Sequence, residues 1–177
     1  QAQIVQAIVS GVSSRAIEEN HPKSPGVKRS SVSRLWQEAG KKFVEQLRSK
    51  DLGAITWCSL MPDGIRLSKD QTAVVALGID AKGNKHVLDF VLGSSESLEI
   101  ARELMGRIVK RGFQCEHRLY VVLDGSEALR AAVKEFFSDS VIQRCLVHKE
   151  RNIKGKLSKR HWGEVSRLFT RLRSVQG

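Results

Sequence analysis

Apolar positions along this chain keep two different periods. Over 95–110, Leu98, Ala101, Leu104, Met105 and Ile108 recur three and four apart, and Ala128, Leu129, Ala132, Val133 and Phe136 repeat the pattern further on. Both stretches predict amphipathic helices, with Glu96 and Glu99 in the first turn of the earlier one, where acids suit the helix dipole. Between them Leu119-Tyr120-Val121-Val122-Leu123 is a short apolar run closed by Asp124-Gly125, the signature of a buried strand. "SVIQRC" predicts another short strand, and residues 145–175 a basic, helical end. Upstream, residues 51–92 read as strands. "AITWCSL" is followed by "MPDGIRL", and "TAVVALGID" and "KHVLDFVLG" flank the tight connection Ala81-Lys82-Gly83-Asn84. In this reading Asp80 is a hairpin residue, and Asp89 alternates outward from Leu88 and Phe90 as a solvated strand position. Strands in a meander, then strands alternating with helices, predict an α/β fold with a mixed sheet and helices on its faces.

Residues 1–50 follow another pattern. "IVQAIVSGVSSRAIEE" reads as the end of a helix, a turn at Gly11 and a second helix capped near Ser13 or Ser14. "NHPKSPGVK" holds Pro22 and Pro25 and breaks it. A third helix follows, capped by Ser30 or Ser31, with Val32, Leu35, Trp36, Ala39, Phe43 and Leu47 on its apolar face. Such a segment resembles a helix-turn-helix DNA reader, with Ser31 and Arg34 where a recognition helix meets base edges. The plainer alternative is a helical linker that only packs.

Composition narrows the partners. The 177 residues carry 30 Lys plus Arg against 19 Asp plus Glu, a net charge of +11, and a sequence pI near 10.0. That excess points to a polyanion, nucleic acid first. Cys58, Cys115 and Cys145 make an odd count without paired spacing, which fits a reducing cytoplasm. No apolar run approaches the roughly 20 residues a membrane span requires, and the N-terminus lacks the basic and long apolar regions of a signal peptide. The chain also begins without Met, as a fragment would.

Asp63 and Asp124 share a context: each is followed by Gly and lies in or at the end of an expected strand. A buried lone carboxylate is costly unless it is paired or binds a cation. Two on neighbouring strands repel unless a divalent ion sits between them. Mg²⁺, which takes one or two carboxylates together with water and phosphate oxygens, suits such a pair. The competing reading is that Asp-Gly simply ends a strand in a turn. Ten Lys or Arg against two Glu between Arg144 and Arg173 give a second feature. Lys149, Arg151, Lys154, Lys156, Lys159 and Arg160 form a stripe that would hold phosphates without reading sequence, unless it is only a solvated helix face. Trp162 and Phe169 are expected to bury that helix. Cys145 and His148 could be half a zinc site, but no second ligand pair stands at suitable spacing.

"MPDGIRL", "VVALGIDAKGNKHVLDFVLGSSES", "VVLDGSEALRAAVKEFF" and "VIQRCLVHKERNIKGKLSKRHW" together resemble the Mutator-type transposases of bacterial insertion sequences. The resemblance covers almost the whole chain and is most specific at "QRCLVHKERN". It implies a ribonuclease H-like core over 51–177, with residues 1–50 as the end of an N-terminal DNA-binding region. It further implies two Mg²⁺ ions, replaceable by Mn²⁺, held by two Asp and one Glu that cut and rejoin DNA. Asp63 matches the first Asp, Asp124 the second, and Cys145 with His148 the family's Cys-x-x-His signature near the catalytic pocket. Where the family usually has Glu-Asn after the third strand, this chain reads Glu96-Ser97. The family's catalytic Glu is expected beyond Gly177, since neither Glu150 nor Glu164 matches its place. The expected partners are double-stranded DNA, as terminal inverted repeats and target, and further copies of the protein, in the bacterial cytoplasm at the nucleoid. Two alternatives accompany this expectation: a non-catalytic DNA-binding fragment, and another ribonuclease H-like nuclease.

Overall fold

In a computed structural model of the chain, residues 2–20 and 28–174 are described; Pro22 and Pro25, expected to break a helix, lie outside them. The chain divides into two compact units, Gln1–Lys50 and Asp51–Gly177.

In the first unit, α1 (Ala2–Val9) and α2 (Ser14–Asn20) are joined through Gly11, whose φ of +89° is open to glycine at little cost. Ser13 caps α2, its Oγ accepting from the Ala16 N–H at 3.1 Å. α3 runs Arg29–Ser49 and corrects the expected cap. Lys28 holds the cap position with no side-chain bond, and Ser30 and Ser31 lie inside the first turn. Ile17 and Val32 form a small core with Ile4, Ala7 and Ile8 against it. Trp36 and Phe43, read as part of the buried stripe, are 42% and 59% exposed.

The second unit is built on five strands: β1 (Trp57–Arg66), β2 (Thr72–Asp80), β3 (Lys85–Gly93), β4 (Tyr120–Leu123) and β5 (Val141–Arg144). Their order is β3-β2-β1-β4-β5, with β1–β2 and β2–β3 antiparallel and β1–β4 and β4–β5 parallel. The expected mixed sheet is therefore present. "AITWCSL" and "MPDGIRL" form one strand from Trp57 onward, and Pro62 lies inside it. The rungs to β4 occur at Ser59 and Leu60. Pro62 comes after them, where a missing N–H breaks no ladder on that side.

The core joins one face of the sheet to α4 (Leu98–Lys110) and α5 (Glu127–Phe136). Leu60, Val74, Leu88 and Val121 from the strands meet Leu104, Met105, Ile108, Leu129 and Val133 from the helices. Each helix is capped by the serine before it, Ser97 accepting from Ile100 and Ser126 from Leu129. Glu96 therefore precedes the cap and is not in the first turn. Asp89 is also corrected. It is 1% exposed, accepts from the Phe90 N–H at 2.8 Å and pairs with Arg111 at 3.2 Å. A register shift between Ala76 and Leu77 of the facing strand breaks the alternation that pointed it outward. The chain ends in α6 (Leu146–Gly155), a 3-10 turn over Lys159–His161, and α7 (Trp162–Ser174). No described helix is long and apolar enough to cross a membrane.

Candidate active site

β1 and β4 run parallel in the register Ser59 to Tyr120 and Leu60 to Val121. Counted on from that register, Asp63 within β1 corresponds to Asp124, the residue after the last of β4. β4 and β5 pair as far as Leu123 with Arg144, and one more step brings Cys145 level with Asp124. The Cys145 N–H donates to the Leu123 carbonyl at 2.8 Å, closing that end of the sheet. Asp63 in β1, Asp124 just past β4 and Cys145 just past β5 thus fall at corresponding positions on three neighbouring elements of the sheet. Adjacent strands stand about 4.8 Å apart, and the β1–β4 rungs cease before these positions, so the two aspartates are at that spacing or wider.

Both carboxylates are tied down on one oxygen. Asp63 Oδ1 accepts from the Gly64 N–H at 3.0 Å. Asp124 Oδ1 accepts from Gly125 at 2.5 Å and Ser126 at 2.8 Å. No Lys, Arg or His among the described residues forms an ion pair with either, and both are half-buried. The second oxygen of each is the open one. This is how the strand end holds Asp124: the backbone beyond it fixes one oxygen and leaves the other without a hydrogen bond to any described residue.

Glycine after each aspartate has a spatial reason beyond turn chemistry. A Cβ on Gly64 would lie 2.8 Å from Glu96 Cγ and closer still to its carboxylate. A Cβ on Gly125 would lie 2.9 Å from Arg144 Cζ and closer to Nη2. Sequence reasoning missed both neighbours. Even so, no group of three or more His, Cys, Asp or Glu among the described residues converges tightly enough to hold a metal ion. Cys145 occupies the cap position of α6 without a side-chain bond, and one turn on, His148 keeps a buried Nδ1 with no hydrogen-bond partner.

The basic end divides in two. Lys149, Arg151 and Lys156 line a groove of about 440 Å³ together with Arg144. Lys154 is withdrawn from the stripe: its Nζ donates to Glu150 Oε1 at 2.6 Å and to Ser166 Oγ at 2.6 Å. Arg173 pairs with the other Glu150 oxygen. Lys154 and Arg173 hold the Glu150 carboxyl down from 4.5 to about 2. Lys159 and Arg160 are exposed beyond that groove, Arg160 Nε lying 3.0 Å from His161 Nε2. Phe169 is buried as expected. Trp162 stays 39% exposed, its Nε1 donating to the Lys154 carbonyl at 2.9 Å. Ser31 is half-buried and Arg34 exposed on α3.

The sequence profile of the Mutator family of transposases matches residues 1–175. The chain belongs to that family. It is 30% identical over 152 residues to the transposase for insertion sequence element IS6120 of Mycolicibacterium smegmatis, covering 81% of this chain and 45% of the relative. It is 29% identical over 163 residues to the transposase for IS256 in transposon Tn4001 of Staphylococcus aureus, covering 86% and 40%. The chain thus spans less than half the length of these Mutator-family relatives.

Proposed function

We propose that this chain is the part of a Mutator transposase that carries two of its catalytic carboxylates, Asp63 and Asp124, on a ribonuclease H-like core. The observation that carries the reading is the corresponding placement of the two aspartates, each with one oxygen fixed and one open. Their donor set suits Mg²⁺ or Mn²⁺, which prefer carboxylate oxygens and retain water. Asp63 and Asp124 would hold the ion, and a third acid, from outside this stretch, would complete the set. Bound there, such ions activate an attacking oxygen and stabilise the leaving one in phosphoryl transfer.

The residues of the chain supply position. Gly64, Gly125 and Ser126 donate backbone N–H groups that orient the two carboxylates. Lys149, Arg151 and Lys156 hold backbone phosphates by charge, which fixes DNA without reading its sequence. In the full-length protein the reaction is DNA cleavage and strand transfer at insertion-sequence ends, on double-stranded DNA and between copies of the protein. The test is nicking of a terminal-repeat duplex with Mg²⁺. Full-length protein should nick it, Asp124→Asn should abolish nicking while retaining DNA binding, and this 177-residue chain alone should be inactive. Undiminished nicking by Asp124→Asn would overturn the assignment.

A further inference from the structure

The Arg144 guanidinium lies over the backbone of Gly125, occupying the space a side chain there would fill. With Arg130 it lines a cleft of about 110 Å³ whose other walls include Asp124, Ser126 and Glu127. Neither arginine forms an ion pair or side-chain hydrogen bond with any described residue, although two carboxylates share the cleft. Arg144 also lines the larger groove of Lys149, Arg151 and Lys156. It is the one residue common to both depressions, so the basic groove leads to the Asp124 carboxylate through it.

An exposed arginine ordinarily extends into water, where its rotamer freedom is greatest. Here an exposed one is folded back against Gly125 beside a carboxylate it does not pair with, and the glycine makes room for it. A planar fork of donors in that position matches two oxygens of a tetrahedral anion. We propose that Arg144, assisted by Arg130, is a phosphate clamp. It would grip a phosphodiester of the nucleic-acid backbone next to Asp124, while Lys149, Arg151 and Lys156 hold the phosphates that follow. The proposal rests on the nucleic-acid reading above and adds where the backbone enters the site. Arg144 is a positioning residue in this account, and a cleft this small takes one phosphate group and no base.

The test uses this 177-residue chain, a fluorescein-labelled random-sequence DNA duplex and fluorescence anisotropy across a salt series in EDTA. Arg144→Gln should weaken binding about tenfold, the loss of one charge-assisted bidentate contact. It should also lower the slope of log affinity against log salt by about one. Gly125→Ala keeps every charge but displaces the guanidinium, and should weaken binding several-fold. Arg144→Lys keeps the charge without the fork and should fall between Arg144→Gln and the unaltered chain. It also serves if Gly125→Ala loses its native circular dichroism. Binding by the unaltered chain that is indifferent to Arg144→Gln, or equal for Arg144→Lys and the unaltered chain, overturns the clamp and leaves the nucleic-acid reading standing. A chain that binds no duplex at low salt overturns that reading and the clamp with it.

Discussion

Asp89 and Arg111 show what a single residue contributes here. The Asp89 side chain is almost wholly buried, and Arg111 donates both to it and, at 2.7 Å, to the Leu88 carbonyl. Such a pair need not stabilise the fold relative to apolar residues, but removing one partner leaves the other without its counter-charge. Asp89→Ala is therefore expected to cost roughly 3–5 kcal/mol, read as a lowered midpoint in urea unfolding with an unchanged slope. A loss below about 0.5 kcal/mol, typical of surface sites, would return Asp89 to the solvated position its neighbours suggested. Asp80 behaves differently. Its carboxyl is held well below the usual range because Oδ2 accepts from His86 Nε2 at 3.0 Å and from Asn84 Nδ2 at 2.9 Å. Its role as a hairpin residue was legible from the sequence. The histidine that reinforces it was not, because His86 stands across the turn and only the register of β2 on β3 brings it close.

At the scale of elements, periodicity carried far where one face is buried. α4, α5, β2 and β3 fall where the apolar spacing put them, since a slip of one residue would turn a core face to water. It failed where the pattern was not set by burial. Trp36 and Phe43 keep helical spacing yet remain exposed, and Pro62 sits inside β1, a place where proline is awkward. The α6–α7 region was read as a basic, helical end. Its organising group is an acid, Glu150, which joins Lys154 and Ser166 across the two helices and also meets Arg173. Because these partners lower the carboxyl from 4.5 to about 2, its contribution is complete above about pH 4.5. It is lost as pH falls toward 2. Amide hydrogen exchange in α7 should thus quicken between those pH values beyond the change seen in α4. Glu150→Gln should remove the difference; α7 protection that is flat over the same window would show that the helices are held by Val165 and Phe169 alone.

For the molecule as a whole, the sheet order β3-β2-β1-β4-β5 brings two distant Asp-Gly sequences to corresponding positions. Their shared context, in or just after a strand and before glycine, was legible in the sequence. The neighbours that explain the glycines, Glu96 and Arg144, were not, since each reaches its partner from an element whose docking no local pattern encodes. The charge excess likewise indicated a polyanion but not which cations are free. Glu150 removes Lys154 and Arg173 from that set, and Arg144 enters it. Whether Asp63 and Asp124 together hold a divalent ion, as proposed, is read from Mn²⁺ titration of the ¹⁵N-labelled chain. Low Mn²⁺ should broaden the Gly64 and Gly125 amide signals together, and Asp124→Asn should abolish the broadening at both. Broadening at only one of them, or broadening at both that survives Asp124→Asn, would contradict it.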